Sequence, residues 1–133
     1  MIQEGQIVVF AFPQTNQPGG KLRPALVLRR CPGTHNDWLI CMISSLLRHE
    51  IAGTDEVIRE ADSDFARTGL KLASVIRAAR LAVVAADVLQ GSTGTLPDER
   101  LRRIRQRIAD WISGNRRALR SGTTPEAEPD PAR

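Results

Sequence analysis

Tyrosine is absent from this chain, and three Phe and two Trp are its whole aromatic complement. A core with so few rings must be packed by aliphatic side chains, and extensive base stacking is disfavoured as a way of holding nucleic acid. Cysteine is as scarce: Cys31 and Cys41 stand alone, with no short metal-ligand spacing around them. No His, Cys, Asp or Glu grouping has the spacing of a metal site, so neither a metal nor a cofactor is expected. A thiol-poor chain suits a reducing compartment. Buried free thiols are the simpler reading of the pair, and a disulfide between neighbouring strands stays open. No apolar run approaches the ~20 residues that span a bilayer. The N-terminus lacks the basic region and cleavage site of a signal peptide, so a cytoplasmic protein without a membrane partner is expected. Two glycine motifs are also incomplete. Gly19-Gly20-Lys21 has neither the following Ser or Thr nor the upstream glycine of a phosphate loop, and Gly91-Ser92-Thr93-Gly94 has no Lys. Neither supports nucleotide hydrolysis.

What is present is positive charge and β-type patterning. The chain has 133 residues, a net charge of +4 and 19 Lys and Arg, which suits one domain and an anionic partner. Residues 5–12 read as a strand, 13–22 as a loop with Pro and Gly punctuation, 24–30 as a second strand, and Trp38–Ile43 as a third. Val57-Ile58 reads as a short edge strand. Ser63–Thr68 reads as one helical turn capped by Ser63 and ended by Gly69. Ser74–Arg77 and Leu81–Val84 read as two further strands, and Gly91–Gly94 as a turn.

One helix stands out after Pro97-Asp98. Leu101, Ile104, Ile108, Trp111 and Ile112 fall on one stripe, Asp98 and Glu99 suit its N-terminal end, and Gly114 suits its stop. Its other side carries Arg100, Arg102, Arg103, Arg105 and Arg107, which reads as a solvated cationic face. Arg116, Arg117 and Arg120 extend it, and together they could touch a nucleic-acid backbone without sequence choice. From Ser121 to Arg133 the composition turns to Pro, Glu, Thr and Ala, too apolar-poor to offset ordering entropy. The expected division is a domain over 1–120 and a disordered tail over 121–133. Short strands followed by one amphipathic helix suggest a small curved antiparallel sheet closed by a helix.

The segment that points to function runs from Ile7 to Leu28. An apolar strand closes at Phe12-Pro13, a polar loop with Gly19-Gly20 follows, and Arg23-Pro24 opens the next strand. Pro24 biases Arg23 toward an extended backbone, which places a cation at a strand mouth beside a pliable loop. With Cys41-Met42-Ile43-Ser44-Ser45 and Ser74-Val75-Ile76-Arg77, this order of segments resembles the MazF/PemK toxins, the ribonuclease half of toxin–antitoxin pairs, over roughly residues 4 to 113. The resemblance implies a mainly β, SH3-like small barrel with a C-terminal helix. It also implies a homodimer, metal-independent cleavage of single-stranded RNA through the neighbouring 2′-hydroxyl, and an antitoxin whose acidic segment fills the RNA groove. That antitoxin could also link the toxin to operator DNA.

Such cleavage needs a base for the 2′-hydroxyl, a cation for the phosphate and an acid for the leaving oxygen. Arg23 and Arg77 are candidate phosphate grips, although each is also compatible with a salt bridge. Ser44 aligns with the Ser or Thr that the family sets beside its Arg, and Ser45 and Ser74 are weaker candidates. Asn16, Gln17 and Lys21 could read bases by hydrogen bonds. The base is missing where some relatives carry it. Their loop His is Gln17 here, and their Asp two residues past the later Arg is Ala79. His49, in a loop that could flank the groove, is a distant substitute, and His35 a more distant one. The chain therefore resembles the relatives that appear to work with Arg and Thr alone. Two rivals stay open: a barrel that binds nucleic acid or antitoxin without cutting, and a topoisomerase poison of the CcdB type, which shares the barrel.

Overall fold

The computed structural model describes residues 1–14 and 17–115, and side chains outside 12–21. Six strands form one sheet: β1 Gln6–Gln14, β2 Gln17–Arg30, β3 Asp37–Ser44, β4 Glu56–Ile58, β5 Ser74–Ala85 and β6 Ser92–Thr95. Their order is β4-β5-β3-β2-β1-β6, and every pair is antiparallel. A short helix α1, Phe65–Thr68, and the long helix α2, Asp98–Ser113, complete the fold with two 3-10 turns, Leu47–His49 and Ala86–Val88. The expected tail lies outside the described residues, as do Arg116, Arg117 and Arg120.

Alternation along the strands sends apolar residues to both faces. Ile7, Leu26, Leu28, Cys41, Ile43 and Ile76 pack with Leu101, Ile104 and Ile108 of α2. Val8, Phe10, Ala25, Val27, Trp38, Ile40 and Leu89 form a second core on the opposite face. The unbroken run Ala25-Leu26-Val27-Leu28 is therefore the signature of a strand covered on both sides. Cys31 and Cys41 are free thiols. Burial, and then the Asp55 carboxylate, pushes the Cys41 thiol far above its usual range.

Several expectations fail for identifiable reasons. The loop expected over 13–22 is mostly strand: β1 and β2 run on as a hairpin arm, with Phe12 paired to Lys21 and Gln14 to Gln17. Proline there is tolerated because the arm has no second neighbour competing for its N–H positions. Ser74–Arg77 and Leu81–Val84 are one strand, not two. The ladder to β3 jumps from Cys41–Leu81 to Met42–Arg77, so Ala78, Ala79 and Arg80 form a bulge. The turn expected at Gly91–Gly94 contributes β6 instead. There Gly94 is required, since a Cβ would come within 2.2 Å of the Arg67 carbonyl oxygen. Ser63 does not cap α1, whose first flanking residue is Asp64, without a side-chain cap. Gly69 does end it, in a left-handed conformation.

Helix α2 ends at Gly114 as expected, but its apolar stripe stops early. Trp111 and Ile112 are 44% and 68% exposed, while Asp110 is buried, its carboxylate accepting from Gln106 and Asn115. The arginine face is not a solvated one. Arg100 bonds Glu56 at 3.0 Å, Asp62 at 3.0 Å and Asp64 at 2.6 Å. Arg103 also pairs with Glu56, Arg107 does so at 3.0 Å, and Arg105 pairs with Glu4. The ties to Glu56 clamp α2 across β4, and Arg105 holds it to the segment before β1, so these charges hold the fold. Of the helix arginines named above, Arg102 alone has no ion pair among the described residues.

Candidate active site

The site lies where the β1–β2 hairpin overhangs the end of β3. The β2–β3 ladder begins at Ala25–Met42, directly after Pro24, which has no N–H to extend it. Arg23 is therefore well inside β2, opposite Phe10 of β1, and not at a strand mouth as expected. Continuing the register past Ala25–Met42 sets Arg23 level with Ser44. On the other flank of β3, Arg77 pairs with Met42. By strand alternation Arg23, Met42, Ser44 and Arg77 share the face turned away from α2.

A cavity of about 240 Å³ opens there, lined by Arg23, Met42, Ile43, Ser44, Ser45, Leu46, His49, Arg77 and Arg80. The structure thus brings Arg23, Ser44, Ser45 and Arg77 together. It adds Arg80, which the β5 bulge turns into the cavity, and it brings in His49, the distant substitute, which the 3-10 turn after β3 folds back. Ala79 is not among the lining residues, because the bulge breaks the simple two-residue alternation that would place it beside Arg77. Asp55 braces this bulge: its carboxylate accepts the Ala78 N–H at 3.0 Å and the Ile51 N–H at 2.9 Å.

The two arginines are unusual in their lack of partners. Nε of Arg23 and Nε of Arg77 are both buried without a hydrogen-bond acceptor, and neither residue has an ion pair among the described residues. A buried donor left unsatisfied costs about 1–3 kcal/mol, and most such donors are satisfied. Both of these arginines line the same cavity. Opposite them, Ser44 Oγ accepts the Leu46 N–H at 3.0 Å and stands 2.9 Å from His49 Nδ1. Partial burial, then the cations Arg77, Arg48 and Arg80, hold His49 below its ordinary value, so the neutral imidazole prevails near pH 7.

A second cavity of about 400 Å³ adjoins the first, sharing Arg23, Ile43 and Ser45. Its walls are largely apolar, with Leu22, Pro24, Leu70 and Leu72, and it adds Lys71. Ser74 lines this cavity and not the first, and its hydroxyl donates to the Leu72 carbonyl at 2.8 Å. Ser74 thus has a structural engagement rather than a free hydroxyl. Asn16 lies outside the described residues, as do the side chains of Gln17 and Lys21. A third hollow of about 480 Å³, bordered by Phe10, Val84 and Val88, is lined by no charged residue among the described residues.

Residues 3–112 match the family of PemK-like, MazF-like toxins of type II toxin–antitoxin systems. The chain belongs to this family. Its fold agrees with solved toxin structures. The Mycobacterium tuberculosis toxin MazF-mt6 superposes with a TM-score of 0.59 at 18% identity, covering 81% of this chain and 96% of that one. An endoribonuclease in complex with its cognate antitoxin, from Mycobacterial species, superposes with a TM-score of 0.61 at 15% identity, covering 85% and 96%. Among curated proteins no sequence matches. The fold is thus the MazF-like one, a mainly antiparallel β half-barrel with a C-terminal helix. Among the described residues no helix is long and apolar enough to cross a membrane.

Proposed function

We propose that this MazF-like toxin is an endoribonuclease that cleaves single-stranded RNA without a metal, by attack of the neighbouring 2′-hydroxyl on the phosphate. The observation that carries this reading is the pair of buried, unpartnered guanidinium nitrogens of Arg23 and Arg77 on one cavity wall. Guanidiniums grip a phosphate bidentately and stabilise the charge that develops on its oxygens. Ser44, fixed by the Leu46 N–H, positions the reacting oxygen from the end of β3. Ser45 lines the same groove, while Asn16, Gln17 and Lys21 are the sequence's candidates for reading flanking bases by hydrogen bonds. A cognate antitoxin with an acidic segment would neutralise the toxin by satisfying the same two arginines. A homodimer and operator-DNA binding through the antitoxin follow from the family.

The test is incubation of a mixed-sequence single-stranded RNA with the protein in EDTA, with analysis of product ends. Fragments ending in 2′,3′-cyclic phosphate and 5′-hydroxyl are expected, and uncut RNA would overturn the reading. Binding without cleavage is the second reading, favoured by Gln17 and Ala79 at positions where some relatives carry a proton acceptor. Poisoning of a topoisomerase through the terminal helix is less favoured, because Arg100, Arg103, Arg105 and Arg107 are already engaged in ion pairs.

A further inference from the structure

We propose that His49, oriented by Ser44, is the base that takes the 2′-hydroxyl proton, an inference that rests on the endoribonuclease reading above. The smaller cavity presents Arg23, Arg77, Arg80, Ser44, Ser45 and His49 as its polar side chains. Guanidiniums stay protonated at any ordinary pH, and a serine hydroxyl is a poor base. His49 is the side chain in that set that accepts a proton near neutrality.

The geometry suits the role. Ser44 Oγ is pinned by the Leu46 N–H at 3.0 Å and stands 2.9 Å from His49 Nδ1. One imidazole nitrogen is thereby anchored and the ring plane set. The other, Nε2, has no hydrogen-bond partner among the described residues. Charged groups surround the ring from three elements: Arg77 and Arg80 on β5, Arg23 on β2, and Arg48 and Glu50 beside it in sequence. Partial burial, and then the cations, keep the free imidazole neutral and ready to act. They would oppose the imidazolium once formed, but the scissile phosphate brings negative charge into the same cavity and offsets them.

The step balances as follows. The imidazole nitrogen takes the 2′-hydroxyl proton while the 2′-oxygen forms a bond to phosphorus. The bond from phosphorus to the 5′-oxygen breaks, and that oxygen takes a proton from water. The imidazolium returns its proton to the solvent, so a linear phosphodiester becomes a cyclic one plus an alcohol. No metal or redox partner enters.

The experiment is single-turnover cleavage of the same RNA in EDTA, over about pH 5 to 9, by the full chain and by His49→Ala and His49→Gln. Affinity is measured in parallel with a 2′-O-methyl strand that cannot react. At protein concentrations well below saturation, where it reports the free protein, the wild-type rate should rise with pH and level off, with a midpoint below the ordinary histidine value of 6.5. Both variants should be about 10²–10⁴-fold slower, lose that acid limb, and keep their affinity within about twofold. Added imidazole should partly restore His49→Ala. Wild-type cleavage with unchanged rates in both variants would overturn the role of His49 and leave the ribonuclease reading standing. A rate loss that merely tracks affinity, with the acid limb intact, would overturn it too. No cleavage by the wild type would remove both.

Discussion

Two groups of arginines in this molecule have opposite fates. On α2, Arg100, Arg103 and Arg107 converge on Glu56, which is only 6% exposed; Asp62 and Asp64 add further acceptors to Arg100. At the end of β3, Arg23 and Arg77 have buried nitrogens and no acid within reach among the described residues. The same residue type thus serves as a clamp in one place and keeps a buried donor unsatisfied in the other. Net charge does not separate the two uses; the count of satisfied donors does. A chain with a surplus of Arg is read wrongly if every cationic face is treated as a ligand surface.

The comparison breaks most visibly at Arg23. Arg23→Ala should slow RNA cleavage about 10²–10³-fold, the usual cost of losing one donor to a developing oxyanion. Since the guanidinium is unpaired in the folded chain, thermal denaturation should show an unchanged or raised Tm. A fall in Tm with unimpaired cleavage would place Arg23 with the structural set. Glu56→Gln probes the other side. It removes the charge shared by three guanidiniums and should cost about 3 kcal/mol in denaturant unfolding, the low end for breaking a buried pair, since Arg103 reaches solvent. At temperatures where the variant is folded, its cleavage rate should match the wild type.

A pH series sharpens the clamp further. The Arg100 guanidinium holds the Asp64 carboxyl below its ordinary value of 3.8. That contribution to stability is complete above the ordinary value and is lost as pH falls through the lower folded one. The denaturation midpoint should therefore drop on acidification below about pH 4. Asp64→Asn should flatten that part of the curve; an unaltered slope would show that other carboxylates carry it. The smallest effect belongs to Arg102, which is exposed on the same helix without an ion pair. Arg102→Ala should change unfolding free energy by less than about 0.5 kcal/mol, and a larger loss would mean that this face docks against something.

Much of the fold was legible because the signals are local. The apolar runs Ile7–Phe10 and Ala25–Leu28 marked strands, and the spacing of Leu101, Ile104 and Ile108 marked the helix. Arg23, Ser44 and Arg77 were legible through the order of three short segments. The hairpin arm was not, because its Pro and Gly content imitates a loop while its strand state comes from pairing across the turn. Strand β6 was hidden because Ser92–Thr95 has little apolar content, and its place depends on the backbone of Arg67 and Thr68 packing directly onto Gly94.

Arg80 could have been found only from the bulge in β5, which is a mismatch between two strands and has no sequence mark on either alone. His49 and Lys71 come to the site through turns whose direction the neighbouring residues do not specify. Nothing in the residues around Asp55 marks the role its carboxylate has at the bulge.

By itself the sequence determined which segments are apolar on which side, where the long helix starts and stops, and the family to which the chain belongs. The first two depend on residues within a few positions of one another, and the family on the order of short segments along the chain. Tertiary structure alone decided which arginines are neutralised and which stay open, because an ion pair forms between residues such as Glu56 and Arg107 that are remote in the chain. It also decided that His49 stands against Ser44 beside Arg77. Charge and reactivity there are set by distance in space, and that distance is a product of the strand register.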